Sequence, residues 1–201
     1  MTPTLTKSAL RAQFRAFRDA LSDKAYRTKS AAICRHVCTL ATWEAADTVA
    51  AYWPQLGRRE IDTRPLLQAD ERRTALPVVT SFPDDGGAPR MEHRLFTGEA
   101  QMTPNRWGIL EPVNAPRVAT DALGLVLVPA LGADRNGHRI GHGAGYYDAF
   151  LTEVSAPTAA LVYADCFVDT VPAEPHDVPV DIVVTERGIH RPTPSAHSFS
   201  R

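Results

Sequence analysis

The run GLVLVPA, residues 124–130, carries no polar side chain at any position. A strand with one wet face alternates apolar and polar residues, so a run that is apolar throughout needs cover on both sides. TVAAYWP (residues 48–54) and TAALVYAD (158–165) have the same character. The chain between and around them reads as helix. Leu10, Phe14, Phe17 and Leu21 recur at helical spacing behind Thr6, a suitable N-cap, and a second helix is predicted from Asp23 to Trp43. IDTRPLLQADERR reads as a turn into a short helix, and YYDAFLTEV as another helix. TALPVVT and MEHRLFT flank SFPDDGGAPR, whose Pro, Asp and Gly mark the loop of a predicted β-hairpin. Strands alternating with helices predict an α/β fold in layers.

A chain of 201 residues, 44% hydrophobic, can close one sizeable core. A single domain over residues 1–190 is therefore expected, with a disordered tail at 191–201. Lys plus Arg number 22 against 23 Asp plus Glu, which leaves no overall field to draw nucleic acid or an anionic membrane. Any anion site must be local. Cys34, Cys38 and Cys166 lack metal-ligand spacing and suit a reducing compartment; Cys34 and Cys38 read as one helix face. The first residues lack the apolar core of a signal peptide, and no window holds about 18 uninterrupted apolar residues. A soluble, cytoplasmic monomer is the expectation.

HRIGHGAGYYDAF, residues 138–150, places Gly141, Gly143 and Gly145 at alternate positions between a buried strand and a helix. Such a turn exposes several backbone N–H groups to an anion, although a plain connector would use glycine equally well. A nucleotide-binding P-loop would need Lys-Ser/Thr where Tyr146 and Tyr147 stand. A dinucleotide fingerprint would need its third glycine at Tyr146; Asp165, about 20 residues on, keeps a dinucleotide-dependent oxidoreductase open as runner-up. Arg139 offers a cation to phosphate. Asp148 offers a carboxylate to a divalent metal, or simply favours the helix N-terminus. His138 and His142 have no third ligand or nucleophile with them and read as surface residues. Lys7, Arg11, Arg15 and Arg18 form the basic face of the first helix, a pattern that usually means a solvated surface.

LVLVPALGADRNGHRIGHGAGYYDAFL resembles the signature of the 5-formyltetrahydrofolate cyclo-ligase, or methenyltetrahydrofolate synthetase, family. KSALR, AYWPQLGRREIDTRPLL, NRWGILEP and VPAEPHDVPVDIVVTE are similar to further family segments in the same order, together covering most of Lys7 to Glu186. The resemblance implies a three-layer α/β/α sandwich with a mostly parallel central sheet. It implies ATP- and Mg²⁺-dependent cyclisation of 5-formyltetrahydrofolate to 5,10-methenyltetrahydrofolate, releasing ADP and phosphate. Carried over by position, Lys7, Arg11, Arg139 and the backbone of Gly141, His142, Gly143, Ala144, Gly145, Tyr146 and Tyr147 would meet ATP. Lys7, Arg139 and Tyr147 would take the catalytic roles, and Asp148 and Asp177 would hold Mg²⁺. Gln55, Glu60 and Trp107, with Gly143, Gly145 and Tyr146, would line the folate site. On their own chemistry, Glu60 could accept from pterin N–H groups or pair with Arg58 or Arg59, and Trp107 could stack a pteridine or plug the core. Ala130, Ala133 and Ala144 depart from the family pattern. Ala144, standing where glycine or lysine is common, keeps open a non-catalytic folate- or nucleotide-binding relative.

Overall fold

The computed structural model describes residues 6–68 and 72–193; of the expected tail, everything beyond 193 lies outside the described residues. Helix α1 (Lys7–Asp19) begins where Thr6 Oγ1 accepts from Ala9 N at 3.1 Å. Helix α2 (Asp23–Cys38) begins likewise at Ser22, whose Oγ accepts from Ala25 N at 3.2 Å. The second helix stops short of the expected Trp43. Leu40 is fully buried in an extended conformation, and this anchor breaks the helix before α3 (Ala41–Ala45). Helix α4 is Arg64–Gln68 and α5 is Tyr146–Leu151.

The main sheet is built from β1 (Thr48–Ala50), β2 (Arg73–Ser81), β3 (Arg90–Leu95), β6 (Arg117–Val118), β7 (Leu125–Pro129), β10 (Thr158–Leu161), β12 (Ile182–Thr185) and β13 (Gly188–His190). Its order is β13-β12-β10-β7-β1-β2-β3-β6. The five inner strands from β12 to β2 are parallel, and antiparallel strands close both edges. The β2–β3 pair is the predicted hairpin. A two-stranded ribbon joins β4 (Thr103–Pro104) to β5 (Leu110–Glu111).

Side-chain alternation explains the apolar runs. Leu125 and Leu127 of β7, Leu161 of β10 and Val184 of β12 share a core with Leu10 and Phe14 of α1 and Ile33 and Val37 of α2. Val126, Val128, Ala160 and Val183 point the other way, into a second core with Phe150 and Leu151 of α5. Each inner strand is thus covered on both faces, giving three layers. β1 is shorter than the run TVAAYWP suggests: after Ala51 N donates to Ala75 O at 2.9 Å the chain leaves the sheet, and Pro54, having no N–H, could not extend the ladder.

The stretch after β7 folds as β8 (Gly132–Asp134) and β9 (Arg139–Ile140), antiparallel to each other, with β11 (Phe167–Val168) parallel to β8. Arg18 corrects the reading of a solvated basic face: it is buried and donates to Ala130 O. Among the described residues no helix is long and apolar enough to cross a membrane.

Gly132 lets this small sheet settle on α1. A Cβ there would come within 2.3 Å of the Phe14 ring and 2.5 Å of Cys166 O. Since neither backbone nor buried ring yields cheaply, Gly132→Ala is expected to cost about 1–3 kcal/mol. The urea midpoint measures this; an unchanged midpoint would show that the layer relaxes freely.

Candidate active site

The segments leading out of β1 and β7, together with the start of α1 and the tip of the β4–β5 ribbon, enclose a cavity of about 470 Å³. This is the carboxyl edge of the parallel sheet, where open α/β sheets generally bind ligands. Every residue that the sequence assigned to ATP, folate or metal lines it.

One end is charged. Lys7 Nζ lies 2.6 Å from Glu174 Oε2 and 2.7 Å from Asp177 Oδ2. Those two carboxylates hold the Lys7 ammonium above its ordinary value against the opposing effect of burial. Burial would raise Asp177, but Lys7 and the Glu174 N–H outweigh it and hold the carboxyl below its usual range. Asp177, Glu174 and His176 each bring a ligand atom within 4.8 Å of the others. Glu174 and His176 were not singled out from sequence; the acid-rich EPHD segment was the available signal.

Arg139 is buried beside this cluster, its Nη2 2.8 Å from Asp148 Oδ1 and its Nη1 donating to Val178 O. Desolvation lowers its pKa, and Asp148 works against that. Asp148 Oδ1 also accepts from Val178 N at 3.2 Å. Asp148 thus orients Arg139 while facing the same cavity as Asp177.

Between Arg139 and α5 runs the glycine turn. Gly143 and Gly145 have φ of 104° and 76°, the left-handed region that favours glycine, whereas Ala144 does not. Arg11 Nε donates to Gly141 O at 3.1 Å, which fixes the turn against α1. Tyr147 is half-buried, but its hydroxyl is buried and meets no hydrogen-bond partner among the described residues, and desolvation drives its pKa far up. Tyr146 instead donates to Ser81 O at 3.0 Å.

The other end is apolar and aromatic, with Trp53, Pro77, Val79, Met91, Trp107 and Ile109 in its wall. Trp107 is 44% exposed, so it is not a core plug. It meets Phe82 and Tyr146 edge-on at centroid distances of 4.9 and 5.8 Å. Glu60 is buried rather than paired with Arg58 or Arg59: Oε2 accepts from Gln55 N at 2.8 Å and Oε1 lies 3.2 Å from His142 Nε2. His142 therefore lines the site while remaining exposed. Glu111, also buried at this end, was missed from sequence; loss of water raises its carboxyl, partly offset by hydrogen bonds from Asn105 and Val79. Asp165, which kept a dinucleotide fold open, lies outside the cavity and is bound by Lys29 at 2.9 Å and Arg187 at 3.4 Å.

The protein is thus a parallel-sheet α/β protein whose cavity has a glycine turn and cations at one end and an aromatic wall at the other. The sequence model of the 5-formyltetrahydrofolate cyclo-ligase family matches residues 3–186, and the chain belongs to that family. It is 43% identical over 123 residues to the 5-formyltetrahydrofolate cyclo-ligase of Mycolicibacterium smegmatis, covering 58% of this chain and 62% of that one. It is 29% identical over 154 residues to a probable 5-formyltetrahydrofolate cyclo-ligase of Schizosaccharomyces pombe, covering 75% and 74%. The NMR structure of Aquifex aeolicus 5,10-methenyltetrahydrofolate synthetase superposes with a TM-score of 0.81 at 27% identity, covering 98% of this chain and all of that one.

The pairing of Lys7 with Asp177 has a measurable pH signature. A carboxyl with a lowered folded-state pKa stabilises the fold above its ordinary value, here 3.8, and that contribution disappears as pH falls through the lowered value. Lys7→Met should therefore flatten the acid limb of the stability profile below about pH 4. Superimposable urea midpoints for the two proteins between neutral pH and pH 3 would show that the bridge contributes nothing.

Proposed function

We propose that this chain closes 5-formyltetrahydrofolate to 5,10-methenyltetrahydrofolate using ATP and Mg²⁺, with ADP and phosphate as the other products. The observation that carries the reading is one cavity with a cation-lined glycine turn at one end and an aromatic wall beside buried Glu60 at the other. Triphosphate and pteridine fit these two ends by chemistry, and the join between them falls at Tyr146 and Tyr147.

A formamide carbon is a poor electrophile without a good leaving group. In the proposed sequence the formyl oxygen attacks the γ-phosphorus and ADP departs. N10 then attacks the formyl carbon, the C–O bond breaks to release phosphate, and the N10 proton is lost, leaving the methenyl bridge. No protein nucleophile is needed; the protein aligns the reactants and neutralises charge. Arg139, pre-set by Asp148, and the N–H groups of the turn face the transferring group. Lys7 exchanges its carboxylate partners for phosphate oxygens. Gln55, Glu60 and Trp107 hold the folate, with Glu60 accepting from pterin N–H groups.

The donor set suits Mg²⁺, which takes one or two carboxylates and keeps its remaining positions for water and phosphate. Asp177 would hold it with Asp148 as the second acid, and Glu174 adds a carboxylate within reach. The ion would supply charge neutralisation across the phosphates when bound. A non-catalytic relative was kept open because of Ala144, yet that position carries ordinary backbone angles, and the left-handed positions of the turn are glycine.

Mixing the protein with MgATP and 5-formyltetrahydrofolate should give methenyl absorbance with one ADP per product. Folate and nucleotide binding without product would overturn the assignment in favour of a binding protein. Arg139→Ala should lower kcat by about 10²–10³-fold, as loss of a transition-state charge partner does. Wild-type turnover in that variant removes Arg139 from the chemistry.

A further inference from the structure

NRWGILEP, residues 105–112, entered the family resemblance only as a segment, but its polar residues form a connected device. Between β4 and β5 the chain reverses in the turn 105–109, with Trp107 at its tip. Asn105 organises that turn from within. Its Oδ1 accepts from Trp107 N at 2.9 Å and Ile109 N at 3.1 Å, while its own N–H donates to Ile109 O at 2.8 Å.

The other half of the Asn105 amide is spoken for by Glu111. Asn105 Nδ2 donates to Glu111 Oε1 at 2.8 Å, and the same oxygen accepts from Val79 N, in the long strand β2, at 3.1 Å. A short two-stranded ribbon has little stability of its own. Through Glu111 it is fastened to a strand of the main sheet, and through Asn105 the fastening reaches the backbone N–H of Trp107. Burying a carboxylate for this purpose costs free energy that an exposed surface turn would not demand. Asn105, Trp107 and Glu111 all face the cavity, and Trp107 in turn meets Tyr146 at the start of α5.

We infer that Asn105 and Glu111 are positioning residues that set Trp107 against the folate, and thereby control affinity for the folate without controlling affinity for the nucleotide. This rests on the proposed function, in which Trp107 belongs to the folate wall. Neither residue takes part in phosphoryl transfer. The requirement at position 111 is an acceptor oxygen facing two N–H groups, and a neutral amide oxygen meets it. At position 105 the requirement is an amide, since it accepts on one side and donates on the other.

Steady-state kinetics with each substrate varied in turn tests this on wild type, Asn105→Ala, Trp107→Ala, the double variant and Glu111→Gln. Asn105→Ala is expected to raise KM for 5-formyltetrahydrofolate about tenfold, with kcat and the KM for ATP held within about twofold. Because both residues act through one indole, the double variant should be no worse than Trp107→Ala alone, a non-additivity that a merely structural residue would not give. Glu111→Gln should keep the wild-type folate KM. Multiplying effects in the double variant, a parallel rise in both KM values, or an unaltered folate KM in folded Asn105→Ala would each overturn the inference. Should Asn105→Ala not fold, Asn105→Asp keeps the acceptor for Trp107 N and turns the donor to Glu111 into a second carboxylate that repels it; it must then show the same selective rise. A wild type that makes no methenyl product sinks the proposed activity and not this inference. The same comparison is then read from Kd values for 5-formyltetrahydrofolate and ATP by titration calorimetry, with the same outcomes deciding it.

Discussion

Asp134 has no exposed surface, and both of its oxygens accept hydrogen bonds from backbone. Oδ1 takes the N–H groups of Asn136 and His138 at 2.8 and 3.0 Å, closing the β8–β9 turn, and Oδ2 takes Val171 N at 2.8 Å. A carboxyl group that far from water is costly to bury unless its acceptor sites are filled, and here three backbone N–H groups fill them. The two segments fixed in this way are the ones that supply the charged end of the cavity. The β8–β9 turn leads within a few residues to Arg139 and the glycines, and Val171 leads to Glu174 and Asp177. One buried side chain therefore sets where the cations and the acidic cluster stand relative to each other.

The cavity floor comes from a second constraint, the two-sided burial of the inner strands. β1 and β7 both end at this edge, and the segments beyond them bring polar groups to the cavity: Gln55 and Glu60 after β1, Arg139 and the glycine turn after β7. Charges brought to that edge are paired before any ligand arrives. Lys7 lies against Glu174 and Asp177, and Arg139 against Asp148. Pairing lets Arg139 be buried at all. Under the proposed function, an incoming phosphate would take over Lys7 and its cation the carboxylates, like for like, without stranding either sign of charge.

Local pattern explains what the sequence made legible. Leu10 and Phe14 at helical spacing, the apolar run 124–130 and the turn residues of 82–89 each state their structure within one window, and each stands where expected. The lost features are long-range. Arg18 reads as one more surface cation because the carbonyl that receives it, Ala130 O, is 112 positions away. Asp134 looks like a loop residue until Val171 closes on it, 37 positions on. Glu111 sits on a two-residue strand with no periodicity to report its burial, and its partner Val79 belongs to a different sheet. His142 lacks a nearby catalytic partner in the sequence, since Glu60 comes from 82 positions earlier. Resemblance to a family assigned roles to Glu60 and His142 across such a gap, but it left Arg18, Asp134 and Glu111 unread.

The three alanines stand where the structure uses backbone and not side chains. At Ala130 and Ala133 the groups in use are main-chain: Ala130 O receives Arg18, and Ala133 sits in the β8 ladder opposite Arg139 and Phe167. At Ala144 the chain needs no unusual angle, because the left-handed residues on either side, Gly143 and Gly145, turn it. A Cβ on Gly143 would meet the Arg11 guanidinium at 3.6 Å, an ordinary contact, so what the position asks of glycine is its left-handed angle and not space. What the turn would present to the phosphate of the proposed function is N–H groups at fixed angles. Those angles depend on residues 143 and 145, and a methyl group at 144 leaves them as they are.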